Sequence, residues 1–219
     1  MVLKELLSLW HDESALNEIF RRFDEMIVGA KEMFKLSTSY LTDGAEADLR
    51  KNIVKMDSHL NTLQQIIRRD IITHISVHGT SDVVPCLLLM SLTKDAERIG
   101  DYCKNIQEVL ERSPQLKTDP LRPDLLDMRA KILIWFDQTK RAFDRNDREL
   151  AKSTREEAFL HEKECDRLVW ELAIDNGGRN AVAVAIIIRF LKRVAAHLGN
   201  ICTSVIMPID KLDYFDESA

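Results

Sequence analysis

Glu97 and Asp101 stand four residues apart in a run with helical apolar spacing, so both carboxylates leave one face of one helix, with Asn105 a turn further along. Asp57 belongs with them. If the chain turns back near Gly79-Thr80, Asp57 lies roughly 22 residues before the turn and Asp101 roughly 21 after it, at similar heights on two antiparallel helices. Three converging carboxylates repel one another unless a cation accompanies them, and hard oxygen donors suit a metal ion. The plainer alternative is a solvated acidic face relieved by Lys94, Arg98 and Lys104, because Glu-x-x-x-Asp spacing is common on helices.

Other chemistry is weakly supported. His74 and His78 have zinc-ligand spacing and Cys86 follows the turn, but no fourth ligand is evident, and a histidine near a helix C-terminus is favoured by the helix dipole anyway. A helix-bundle metalloenzyme of the di-iron type needs Glu-x-x-His pairs, and no Glu here is followed by His three residues later. There is no Gly-x-Ser-x-Gly elbow, no phosphate-binding loop and no dinucleotide fingerprint. We therefore expect no catalytic residues and no enzyme.

The elements that must position the acids are helices. Apolar residues recur at helical spacing from about Ser14 to Leu41, from Ile53 to Ile75, and from Pro85 to about Arg112. Thr42-Asp43-Gly44 and His78 to Asp82 punctuate them, and Ser81 or Asp82 is placed to cap the third. A short lead helix ending near Leu9 precedes them. Ser113 to Pro123 holds three of the five prolines and reads as a connector. Three more helices follow, from about Leu125 to Phe143, to about Asp175, and from about Asn180 to Met207, where Pro208 ends the last. Residues 1–113 thus form one three-helix unit, 114–123 the connector, and 124–219 a second unit with an acidic tail. Trp10, Trp135, Trp170, Phe136 and Phe159 fall at core spacings. The last helix, apolar almost all round from Ala181 to Ile188, is expected to be buried with some contact in a homodimer.

The two units match internally. Asp57 to Leu63 aligns with Asp166 to Leu172, and Glu97 to Ile106 with Lys192 to Ile201. The second hairpin is shorter by about two turns on each helix, which keeps the packing face. In that unit Lys192 and Ala196 stand where Glu97 and Asp101 stand in the first. A cation in a ligand's place argues against a metal there, although Glu162 and Asp166 form another acidic pair and His197 lies nearby on the last helix.

A net charge of -5 over 219 residues, with no basic run carrying interleaved aromatics, disfavours nucleic acid. No apolar run approaches the roughly 20 residues of a bilayer span, and the N-terminus lacks a signal-peptide pattern, so a cytoplasmic protein is expected. Cys86, Cys103, Cys165 and Cys202 are far apart in apolar runs and read as buried free thiols.

The segment LTKDAERIGDYCKNI (Leu92–Ile106) resembles the signature of the PhoU family, and MDSHLNTLQQIIRRDIITHIS, EKECDRLVWELA and LKRVAAHLGNI resemble that family's other helices, so the likeness spans nearly the whole chain. It implies an all-α fold of two tandem three-helix bundles related by a pseudo-twofold repeat. It also implies metal binding, iron or zinc, at Glu97 and Asp101 of the first repeat, with Asn105 supporting, and the height argument adds Asp57 to that set. The implied role is restraint of phosphate uptake and of the phosphate-starvation response, through contacts with a Pst-type ABC transporter, a sensor histidine kinase or both. Such a protein sits at the membrane only through its partners. Accessory service to a sodium-phosphate cotransporter is the alternative.

Overall fold

The computed structural model describes residues 15–42, 48–174, 178 and 180–212. Six long helices account for most of them: α1 (Ala15–Ser37), α2 (Leu49–His78), α3 (Val83–Arg112), α4 (Arg122–Arg145), α5 (Arg148–Ile174) and α6 (Ala181–Ile206). Short 3-10 turns occupy Ser39–Leu41, Pro114–Thr118 and Ile209–Lys211, and there is no strand among the described residues. The expected lead helix, Trp10, Asp43-Gly44, Asn176-Gly177 and the tail beyond Leu212 lie outside the described residues.

Each helix exists because a stripe of apolar side chains at three- and four-residue spacing gains about 1.5–3 kcal/mol per large side chain by leaving water. In α1 the stripe is Ile19, Phe20, Phe23, Met26, Ile27, Ala30, Met33 and Phe34. α1 ends where Ser37 and Thr38 turn their hydroxyls back onto the Phe34 carbonyl, at 3.0 and 2.7 Å. α2 stops at Gly79, whose φ of 75° suits a residue without Cβ. The start of α3 corrects one expectation: Asp82 sits at the N-cap but makes no capping bond, because its carboxylate instead accepts from His74 Nε2 at 2.7 Å. α4 begins at Arg122, three residues early, since the fixed φ of Pro123 suits a first helical turn. Asn146, left-handed at φ 51°, closes α4, and Asp147 caps α5 through a 3.0 Å bond from the Leu150 amide.

α1, α2 and α3 pack on one another as one bundle, and α4, α5 and α6 as a second. The bundles join through like helices, α1 on α4 and α3 on α6. The first seam is aromatic: Phe23 meets Phe143 edge-on at 5.2 Å between ring centroids, and Phe34 meets Phe136 at 5.7 Å. At the second seam Tyr102 and His197, which the alignment equates, stack on each other at 5.7 Å. On one side of that stack Tyr102 meets Phe190 at 5.9 Å. On the other, His197 Nδ1 lies 2.7 Å from Asp95 Oδ1, which also accepts from Asn200 at 3.1 Å. Asp95 and Phe190 are themselves equivalent positions, so the contacts exchange as they do across a twofold axis.

Two burial expectations need correction. Trp135 and Phe136 are core, but Trp170 is 68% exposed and Phe159 is only partly covered, under Arg155 and Lys163. α5 buries a stripe including Ala151, Thr154, Ala158 and Cys165, continued by the partly buried Leu168, Val169 and Leu172, and Trp170 lies off that stripe. α6 is one-sided at its start: Val184, Ile187 and Ile188 are buried while Val182 is 73% exposed. No described helix is long and apolar enough to cross a membrane.

Candidate functional site

Gly100 brings the acids of the first bundle together. A Cβ there would stand 2.7 Å from Leu60 Cδ1, so the missing side chain lets α2 lie close against α3 at this level. Leu60 fills that groove, and Asp57, almost one turn before it, arrives beside Asp101. What joins the two aspartates is a lysine. Lys104 Nζ donates to Asp57 Oδ2 at 2.9 Å and to Asp101 Oδ1 at 3.2 Å. Arg98 also reaches Asp101, at 3.5 Å.

Glu97 belongs to the same field. Its carboxyl is held above the ordinary range, first by burial and then by the negative charges of Asp101 and Asp57, with Arg98 and Arg68 acting the other way. Lys104 is pushed upward despite burial, because its hydrogen bonds to Asp57 and Asp101 favour the ammonium. Asn105 is half-buried one turn beyond Asp101. Asp57, Glu97 and Asp101 are thus close enough to act on one another, with Lys104 bridging the two aspartates.

Whether this set fits iron or zinc is decided by that lysine. The donors are hard oxygens, chemically suited to a cation, but the ammonium already stands between two of the three. Among the described residues no three His, Cys, Asp or Glu side chains are placed to hold a metal ion. As arranged, the residues do not fit a metal beside Lys104.

In the second bundle the acids are likewise satisfied internally. Asp166 pairs with Lys192 and, at 3.0 Å, with Arg189. Glu162 accepts from the buried Arg155 at 3.0 Å. His197 faces Asp95 of the first bundle rather than either of them. His74 and His78 stack on each other at 4.5 Å, and His74 is engaged by Asp82. Cys86 is buried, its thiol pushed up to about 11 by burial and by the Asp82 charge. Cys165 and Cys202 are pushed to about 12, chiefly by burial, and Cys103 is raised too, so none of the four thiols is poised as a nucleophile.

Sequence reasoning missed Asp82 as the partner of His74, Lys104 as the bridge between Asp57 and Asp101, and Asp95 as an interhelical link. Asp95 left a readable trace: it falls on the apolar stripe of α3 with Leu92 and Ile99, where a charge needs a buried partner.

A PhoU domain model matches residues 23–110, from the middle of α1 to the end of α3, the bundle that holds the acids. The first bundle is thus similar to a PhoU domain. A phosphate-specific transport system accessory protein PhoU homolog from Synechocystis is 22% identical over 200 residues, covering 88% of each chain. The crystal structure of PhoU from Pseudomonas aeruginosa superposes with a TM-score of 0.77 at 18% identity, covering 88% of this chain and 95% of that one. The phosphate transport system regulatory protein PhoU from Streptococcus pneumoniae gives 0.76 at 20% identity, over 87% and 93%. The all-α fold of paired three-helix bundles is therefore that of PhoU structures.

Proposed function

We propose that this chain is a non-catalytic, cytoplasmic regulator of phosphate homeostasis, which restrains phosphate uptake and the phosphate-starvation response by docking on a phosphate transporter or its sensor kinase. The observation that carries the reading is the PhoU domain over the first bundle, in a fold that matches a PhoU structure over 88% of the chain. The chemistry of the chain supports contact rather than turnover. Its thiols are buried and hard to ionise, and its clustered carboxylates are neutralised by the chain's own cations. What remains free is surface: Trp170, Ile174, Val182 and Ile186 are exposed around the shared end of α5 and α6. An apolar cleft there is lined by Val169, Leu172, Ala185 and Phe190.

The test is uptake of labelled phosphate by cells with and without the chain, in rich and poor phosphate. Faster uptake in rich phosphate without it is expected. Unchanged uptake together with an unchanged starvation response would overturn the proposal.

A further inference from the structure

Both bundles place one aspartate of their second helix against a lysine of their third, yet the two lysines do not occupy equivalent positions. In the first bundle Asp57 meets Lys104, and in the second Asp166 meets Lys192. The aspartates align. Lys192, however, aligns with Glu97, and the residue aligned with Lys104 is Gly199. The two lysines differ by seven residues on the same face of the helix, about two turns or roughly 10 Å along its axis, so the second ion pair lies at a different level of its bundle from the first. A Cβ on Gly199 would stand 2.8 Å from Cδ of the buried Arg155, so a side chain at the position aligned with Lys104 would require that arginine to shift. Each bundle nevertheless sets one ammonium on an aspartate of its second helix.

The charges in the first bundle balance around that ammonium. Asp57, Glu97 and Asp101 are faced by Lys104, by Arg98 at 3.5 Å from Asp101, and by Arg68, whose charge acts on Glu97. A divalent ion entering this group would sit against a fixed positive charge and would have to strip Asp57 and Asp101 of their existing partner. Removing the lysine charge leaves three carboxylates with a net deficit of cations, the condition under which a dication is favoured.

We propose that a tethered lysine is the resident cation of each acidic site in this chain, Lys104 in the first bundle and Lys192 in the second, and that Lys104 keeps divalent metal out of the first. The inference concerns the chain's own charge balance and does not depend on which partner it regulates. Lys104 is a positioning residue for Asp57 and Asp101, not a catalytic one. The second bundle has no latent site of this kind, since Ala196 stands where Asp101 would be.

The experiment is titration of full-length protein with Zn²⁺ and Mn²⁺ by calorimetry, with metal content by mass spectrometry after purification without chelator or metal affinity resin. Wild type and Lys104→Arg are expected to hold substoichiometric metal. Lys104→Met keeps most of the apolar stem and loses the charge, and it is expected to gain one ion per chain, with affinity raised at least about tenfold. It should also melt higher in the presence of that ion. Adding Glu97→Gln and Asp101→Asn to Lys104→Met should abolish the gain, and Lys192→Met should show none. One ion per wild-type chain, lost in a Glu97→Ala/Asp101→Ala variant, would overturn the proposal whether or not Lys104→Met folds. So would a folded Lys104→Met that binds no more tightly than wild type.

Discussion

Replacing His197 with Phe removes the partner of Asp95 while keeping an aromatic ring to stack on Tyr102. Asp95 is fully buried between α3 and α6. In the intact protein one of its oxygens faces His197 at 2.7 Å and Asn200 at 3.1 Å, and the other has no hydrogen-bond partner. Removing one hydrogen-bond partner from a fully buried carboxyl, which then keeps only Asn200, costs about 1–3 kcal/mol. For a chain of this size each kcal/mol moves the melting temperature by roughly 2–4 °C, so His197→Phe should melt roughly 2–12 °C lower. The other side of the Tyr102–His197 stack shows how the loss can be repaired. There Phe190 and Tyr102 stand at the positions equivalent to Asp95 and His197, 5.9 Å apart, with no charge involved. Asp95→Phe/His197→Tyr copies that pair, and replacing a buried polar pair with packed apolar groups is often neutral or better, less about 1–3 kcal/mol if the larger ring overpacks. The double variant is thus expected to be more stable than His197→Phe, with a double-mutant coupling above about 1 kcal/mol. Urea and thermal unfolding followed by circular dichroism measure both. A His197→Phe cost below about 1 kcal/mol, or a double variant no better than the sum of its single changes, would refute the reasoning.

Burial, helped by the Lys131 charge, lowers the His161 imidazole to about 4 from its ordinary value near 6.5. The unfolded chain therefore takes up a proton there before the folded one does. Stability should fall as pH drops from about 6.5 toward 4, by about 3 kcal/mol at most, and less steeply in His161→Leu melted alongside. Native protein should leave all four cysteines unlabelled by a thiol reagent at neutral pH, with labelling appearing only in denaturant, since each thiol is buried and raised. Gly100→Val should cost about 1–3 kcal/mol in urea unfolding by driving Leu60 out of its groove. Part of that loss should return in Gly100→Val/Leu60→Val, where the clashing atoms are shortened.

Much of the architecture could be read in the residues, because helical periodicity and breakers are local. The end of α3 at Arg112 and the stop before Pro208 follow from spacing and from a ring that lacks an amide hydrogen. The displaced start of α4 came from treating Pro123 as part of the connector, when a proline in the first turn loses no bond. The antiparallel height argument brought Asp57 to Asp101, since rise per residue is fixed. It did not foresee that Lys104, one turn from Asp101 on the same helix, would lie between them. Spacing says which face a long side chain leaves from, but not which of two acids its flexible stem reaches. The Asp95–His197 link was out of reach for a different reason: it depends on how the bundles dock, a contact between residues about a hundred apart that no local pattern encodes. Trp170 was misplaced because it lies two residues from both Leu168 and Leu172, which continue the packed stripe of α5, and so falls on that helix's outward face.

The most direct test of a regulator that acts by contact is the binding of purified chain to its cell's phosphate transporter in detergent or nanodiscs, measured beside a Trp170→Glu/Val182→Glu variant. Both substituted side chains are exposed, so the variant should fold and melt like wild type. Binding by wild type, with a loss of at least about tenfold in the folded variant, is the predicted result. Absence of wild-type binding to the transporter and to the sensor kinase alike would contradict the proposed mode of action.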